Sequence, residues 1–160
     1  MRFAFRLLSC LAVSAMVVIG GCSPKRIPGT DIDDSADTRA VVATVDAYRK
    51  AAENRDAPAV LALVSTKYLD DSGTSDPGDD VDYETLRKHI SDDYARLTVI
   101  RLEIAIKRIE VEGDHASVYV FYDARYRIRT KAGEVPKQSS DVHRMQLVRE
   151  QAAWHFVSGL

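Results

Sequence analysis

Sulfur is scarce in this chain. Its 160 residues include two cysteines, Cys10 and Cys22, both close to the N-terminus. Cys10 lies inside a short apolar run, leaving a single thiol beyond it, which cannot form an internal disulfide or a cysteine zinc site. Positive charge is not in excess either: 22 Lys and Arg stand against 24 Asp and Glu, for a net charge of −2. General nucleic-acid binding needs a basic surface that displaces counterions, so that class is set aside. No apolar run reaches the roughly 20 residues that a permanent membrane-spanning helix requires. His89, His115, His143 and His155 show no metal-ligand spacing to one another. No repeat is visible, and no motif implies a cofactor.

What is present begins with an address. Arg2 and Arg6 precede an apolar stretch from Leu7 to Ile19, broken by Ser9, Cys10 and Ser14, with small residues after it. That order reads as a secretory signal. Its end, Ile19-Gly20-Gly21-Cys22, resembles a bacterial lipobox. The resemblance implies diacylglyceryl transfer to the Cys22 sulfur, cleavage before it and acylation of the new amine. Residues 1–21 are then the signal peptide, and the protein meets the membrane of the cell envelope through lipid on Cys22. Ser23, in place of aspartate, resembles the Gram-negative pattern sorted to the outer membrane, facing the periplasm. The competing reading is an ordinary signal cut elsewhere, with Cys22 incidental. Loss of Arg2 and Arg6 with the signal moves the net charge from −2 to −4, and no thiol is left for catalysis. Residues 22–35 read as the lipidated cysteine and a flexible tether: Pro24, Pro28 and Gly29 interrupt it, and Asp31, Asp33 and Asp34 offer little to bury.

Residues 36–160 form one domain, large enough for a core. Val41, Val45, Tyr48 and Ala52 make one helical stripe, with Ser35 and Asp37 at its start. Asp56 caps a second helix, with Pro58 in its first turn, expected to reach Tyr68. A third is expected from Asp82 to Leu97, carrying Tyr83, Leu86, Ile90 and Tyr94. Strands follow. Ile100, Leu102, Ile104 and Ile106 alternate, then the apolar phase jumps to Ile109 and Val111, which places a β-bulge at Lys107-Arg108. Gly113-Asp114 turns into a long strand from Ala116 to Ile128; a turn over Lys131–Pro136 leads to a strand over Val142–Arg149, and Trp154 to Val157 closes the chain. The expected class is α+β, three N-terminal helices on one face of a curved antiparallel sheet of about four strands.

The segments VVATVDAYRKAAENRD (Val41–Asp56) and APAVLALVSTKYLDD, with the final WHFVSGL, resemble the nuclear transport factor 2-like superfamily, which includes ketosteroid isomerase-like and SnoaL-like proteins. The likeness spans about residues 37–160. It implies a cone in which the sheet wraps the helices, often with a pocket at its open end. In isomerase-like members a tyrosine in the first helix donates to a developing oxyanion and an acid after the second helix shuttles a proton. Tyr48, eight residues before Asp56, matches the first, and Asp70 or Asp71 lies near the second, although neither aligns cleanly.

Each candidate has a plainer reading beside it. Tyr48 stabilises charge if buried beside a substrate, and an aromatic on a helical stripe also serves as core. His143 shares a strand face with Met145 and Leu147, where it is a general base or a hydrogen-bonded core histidine. Tyr48, Tyr122, Tyr126, His143, Met145 and Trp154 are expected to line the pocket. The acidic run Asp70, Asp71, Asp76, Asp79, Asp80, Asp82 suits calcium in composition but lacks the glycine and glutamate of an EF-hand, so no metal site is expected. Arg125, Arg127 and Arg129 fall on the face opposite Tyr122 and Tyr126; together with Tyr119 and Phe121 they form a solvated face, a partner surface or a homodimer interface. The residues favour binding of a small apolar ligand or an envelope protein over catalysis. An isomerase, cyclase or dehydratase is the alternative, and a structural envelope role is a third.

Overall fold

The computed structural model describes residues 25–74 and 76–160. The signal and lipobox, Cys22 included, lie outside the described residues. No helix among those described is long and apolar enough to cross a membrane.

Helix α1 (Ala36–Asn54) starts where Ser35 accepts from the Thr38 amide while the Thr38 hydroxyl takes up the Ser35 amide. This reciprocal cap satisfies two amides that would otherwise lack partners. Arg55 ends the helix in the left-handed region, φ 56°. Helix α2 (Ala57–Leu61) is capped by Asp56, which accepts from the Ala59 amide. Strands β1 (Leu69–Asp70) and β2 (Val81–Asp82) form a small antiparallel pair, and Asp82 caps α3 (Tyr83–Arg96). The main sheet has β3 (Leu97–Glu112), β4 (His115–Thr130), β5 (Gly133–Glu150) and β6 (Ala153–Ser158), antiparallel and in sequence order. The mixed helix and antiparallel-sheet class expected from the sequence is the one observed.

The helices occupy one face. Val41 and Val45 of α1 join Val118, Val120, Leu147 and Phe156 of the sheet in a single buried cluster. Phe156 and Val120 are fully buried, each side chain contributing about 1.5–3 kcal/mol by leaving water. The β3–β4 register shifts between Ile106 and Arg108, as the phase jump anticipates.

Three expectations need correction. The second helix stops at Leu61 instead of Tyr68, because the next backbone pairs with β6: Ser65 donates to the Phe156 carbonyl, and the Phe156 amide donates to Leu63. The turn after β4 is only Lys131-Ala132, and β5 starts at Gly133 and carries Pro136 within it. Proline is tolerated there because β6 pairs with β5 only from Gln146 onward, which leaves the earlier residues on an edge. Third, the stretch read as a tether has local structure from Lys25: Arg26 bridges Asp33, the Asp34 amide donates to Lys25, and Ile32 is buried.

Candidate active site

A cavity of about 490 Å³ opens between α1, α3 and the inner face of the sheet. Its walls are mostly aliphatic: Leu86 and Ile90 of α3, Ile100, Leu102 and Ile104 of β3, Ala124 of β4 and Met145 of β5. The polar groups facing it are few. They are Tyr48, Tyr122 and His143, with His89, Asp93 and Tyr94 from α3.

Tyr48 reaches the cavity because it continues the Val41–Val45 stripe of α1 one turn further. Its ring meets Phe156 edge-on, centroids 5.5 Å apart. Among the described residues its hydroxyl has no hydrogen-bond partner. Burial, with a smaller effect from the Tyr122 phenol, pushes its pKa up to about 12, so it is a donor at any physiological pH. Tyr94 is also shifted upward, first by burial and then by Tyr48 and Asp93. Tyr122 and His143 stand edge to face, centroids 6.1 Å apart, and the Tyr122 hydroxyl lies 3.3 Å from that of Ser139.

Of the residues expected to line a pocket, the structure brings Tyr48, Tyr122, His143 and Met145 together. Tyr126 lies one step further along β4 and lines an adjoining groove of about 240 Å³ with Tyr94 and Ile128. Trp154 faces away from the cavity: it is buried in the core, with the Arg149 guanidinium 4.6 Å from its ring centroid and Asp37 2.8 Å from that guanidinium.

The candidate proton-shuttling acids are elsewhere. Asp70 accepts from the Gly159 amide at 2.8 Å and from the Tyr68 hydroxyl at 3.3 Å, which fastens the end of β6. Asp71 accepts from the Gly73 amide in an exposed loop. Both border a separate cleft that also reaches His143. The other acids of this run hold turns: Asp76 takes the Gly78 amide and Asp79 the Thr74 hydroxyl. Among the described residues no three His, Cys, Asp or Glu side chains converge as metal ligands.

His89 and Asp93 were not singled out by sequence. They sit one position before Ile90 and Tyr94 on α3 and so flank the apolar stripe at the cavity edge, a signal available from helical spacing alone. Asp93 is ion-paired with Arg96.

No family model matches the chain, and no curated protein matches it by sequence. Solved structures match it by shape. A conserved protein from Planctomyces limnophilus superposes with a TM-score of 0.66 at 12% identity, covering 78% of this chain and 93% of that one. A ketosteroid isomerase-like protein from Erwinia carotovora atroseptica gives 0.61 at 18%, covering 79% and 95%. A protein from Streptomyces avermitilis, described as a candidate dehydratase of the NTF2-like family, gives 0.59 at 16%, covering 77% and 92%. At these identities the likeness establishes the fold alone, and that fold is nuclear transport factor 2-like.

Proposed function

We propose that this protein is a lipid-anchored binding module that holds a small, mainly apolar molecule in the cavity between α1, α3 and the sheet. One observation carries the reading. A cavity of about 490 Å³ has largely hydrocarbon walls and an unpartnered phenol, Tyr48, among its few polar groups. Such a space accommodates a drug-sized ligand, and convergent polar groups fix its orientation. The ligand is expected to present a carbonyl or another acceptor to the Tyr48 hydroxyl. Binding is favoured over chemistry because no free carboxylate reaches Tyr48 among the described residues: Asp93 is engaged by Arg96, and Asp70, which does not line the cavity, is engaged by the Gly159 amide.

A panel of two- and three-ring phenols and ketones, screened by thermal stabilisation, tests this. A binder at a hundredfold excess over its Kd stabilises by about 2.7 kcal/mol. Ala124→Trp, which fills the cavity, should abolish that shift. Tyr48→Phe should weaken it by about five- to tenfold, the loss of one hydrogen bond. Binding that survives Ala124→Trp unchanged places the ligand elsewhere and rejects the reading.

The second reading is a proton-transfer enzyme of the isomerase or dehydratase kind, supported by Tyr48 and His143 facing one cavity. Tyr48 would stabilise an oxyanion and His143 would move the proton. Turnover of any panel member, falling at least about a hundredfold in both Tyr48→Phe and His143→Ala, decides for it. Bound ligand recovered unchanged decides against it.

The anchor rests on the lipobox-like Ile19-Gly20-Gly21-Cys22. Cys22→Ser should release the protein from membranes or leave its signal uncut. Normal processing with membrane retention and no attached lipid would remove this part of the proposal.

A further inference from the structure

A basic groove of about 400 Å³ lies where β3 begins and β4 ends, on the side of the sheet turned away from the helices. Val99 and Arg101 of β3, Arg125 and Arg127 of β4, and Pro136 and Gln138 of β5 line it, and no lining residue is acidic. None of the three arginines lines the apolar cavity or belongs to the buried core.

A local irregularity gathers them. The β3–β4 register shifts between Leu97 and Val99, which leaves Thr98 unpaired. Continued from Leu97 without that extra residue, the pairing would put Ile100 opposite Arg125 on the outer face and Arg101 opposite Ala124 inside. With it, Ile100 lines the cavity and Arg101 stands directly opposite Arg125. Paired residues have Cα atoms about 5 Å apart, and Arg127 follows Arg125 on the same face after about 7 Å of strand. Three guanidinium groups therefore share one small area.

The chain answers this charge only in part. Asp123 accepts from Arg125 at 3.0 Å and from the Gln138 amide at 3.1 Å, and so holds both side chains at the groove edge. Glu134 stands 3.8 Å from Arg127, beyond hydrogen-bond reach. Arg101 has no ion-pair or hydrogen-bond partner for its side chain among the described residues, and neither has Lys137, which also borders the groove. Like charges directly opposite across strands are unfavourable. An anion placed between Arg101 and Arg125 removes that penalty.

We propose that this groove binds a soluble compound carrying a phosphate or diphosphate group, its oxygens held among Arg101, Arg125 and Arg127. A carboxylate meets a guanidinium fork in its own plane, whereas a tetrahedral phosphate offers oxygens in several directions to forks on different strands. The concave shape suits a discrete molecule, and Val99 and Pro136 give the rest of it an apolar surface. Position argues against a headgroup of the anchoring membrane. The tether enters α1 at the other end of the sheet, where Arg149 joins Asp37 to Asp114, and β4 runs about 34 Å from His115 to Arg125.

Calorimetric titration of the full-length protein in nonionic detergent with inorganic pyrophosphate tests this. Saturable binding is expected, weakening as salt rises. Arg101→Gln should weaken it by at least about tenfold, the loss of a charge-assisted hydrogen bond. Arg101→Lys should restore only part, because lysine keeps the charge without the fork. Arg144→Gln, at an exposed arginine outside the groove, should leave binding unchanged. Arg101 is itself exposed, and equal melting temperatures show that the variants keep the fold. No saturation through the millimolar range overturns the proposal. So does full restoration by Arg101→Lys or an equal loss in Arg144→Gln, either of which means diffuse attraction of charge. Succinate competing as well as pyrophosphate overturns the phosphate assignment. Protein that ignores pyrophosphate but pellets with phosphatidylglycerol vesicles through Arg101 gives the groove to a membrane surface instead.

Discussion

On β4, Val118 and Val120 are fully buried, whereas Tyr119 and Phe121, one residue along from each, lie on the opposite face beside Arg108 and Val142. One strand thus serves two surfaces with different physics. The inner surface is held by close packing, where a missing methylene leaves a void. The outer one is held by register, because the bulge and the strand pairing decide which charges are neighbours. The cost of a substitution should therefore follow the face and not the residue type.

The largest separation is expected between two phenylalanines. Phe156→Ala removes a fully buried ring that packs on Tyr48 and should cost about 3–5 kcal/mol. Phe121→Ala trims an exposed ring and should change stability by no more than about 0.5 kcal/mol. Urea midpoints in dilute solution measure both, and comparable losses would dissolve the distinction between the faces.

Glycines sharpen the same contrast. A Cβ on Gly159, at φ 87°, would meet the Arg144 carbonyl oxygen at 2.3 Å and Met145 Cα at 2.8 Å. Gly159→Ala must push β5 aside at the cavity wall, and a loss on the order of 3 kcal/mol is expected. Gly113, at φ 60° in the β3–β4 turn, has nothing within 4 Å of the same added atom. Gly113→Ala should cost only the left-handed conformation, about 1–2 kcal/mol. Ligand binding should suffer in the first variant and not in the second.

High pH isolates the cavity. Tyr48 ionises near 12 in the fold and near 10 in the unfolded chain, because burial disfavours the phenolate. The unfolded state therefore releases its proton first, and this residue's contribution, whole below pH 10, is lost as pH rises toward 12. Tyr48→Phe should make alkaline unfolding less steep, which circular dichroism across that range would show. An unchanged slope would mean that Tyr48 is solvated.

How far the sequence disclosed this follows the same division. The helix caps at Ser35 and Asp56, the start of the third helix near Asp82, the bulge at Lys107-Arg108 and the alternation of β4 are local signals legible in the sequence; that Asp82 caps α3 comes from the fold. The end of α2 is not legible locally because it depends on Phe156, far away in the chain, taking the backbone of Leu63 and Ser65. Pro136 reads locally as part of a turn, since nothing nearby in sequence shows that β6 leaves that edge unpaired. At the site, Tyr48, Tyr122, His143 and Met145 share the inner phase of their elements and could be grouped from spacing. Trp154 shares that phase too, but Arg149 and the core enclose it. Asp70 sat at a plausible sequence position for a base, and only the fold shows Gly159 and Tyr68 occupying it.

The smallest effect is expected where the sequence looks most suggestive, in the arginine stripe. Arg125 pairs with Asp123 at 3.0 Å and Arg127 with Glu134 at 3.8 Å, and both guanidinium side chains are more than half exposed. Exposed pairs contribute about 0–1 kcal/mol, less in salt. Arg125→Ala loses one such pair but also relieves the like-charge contact with Arg101 across β3, so the two changes offset. Unfolding should move by no more than about 0.5 kcal/mol, with little salt dependence. Stability loss from Arg125→Ala on the scale of Phe156→Ala would mean that the outer face is part of the core's support, and the separation of roles between the faces would fail.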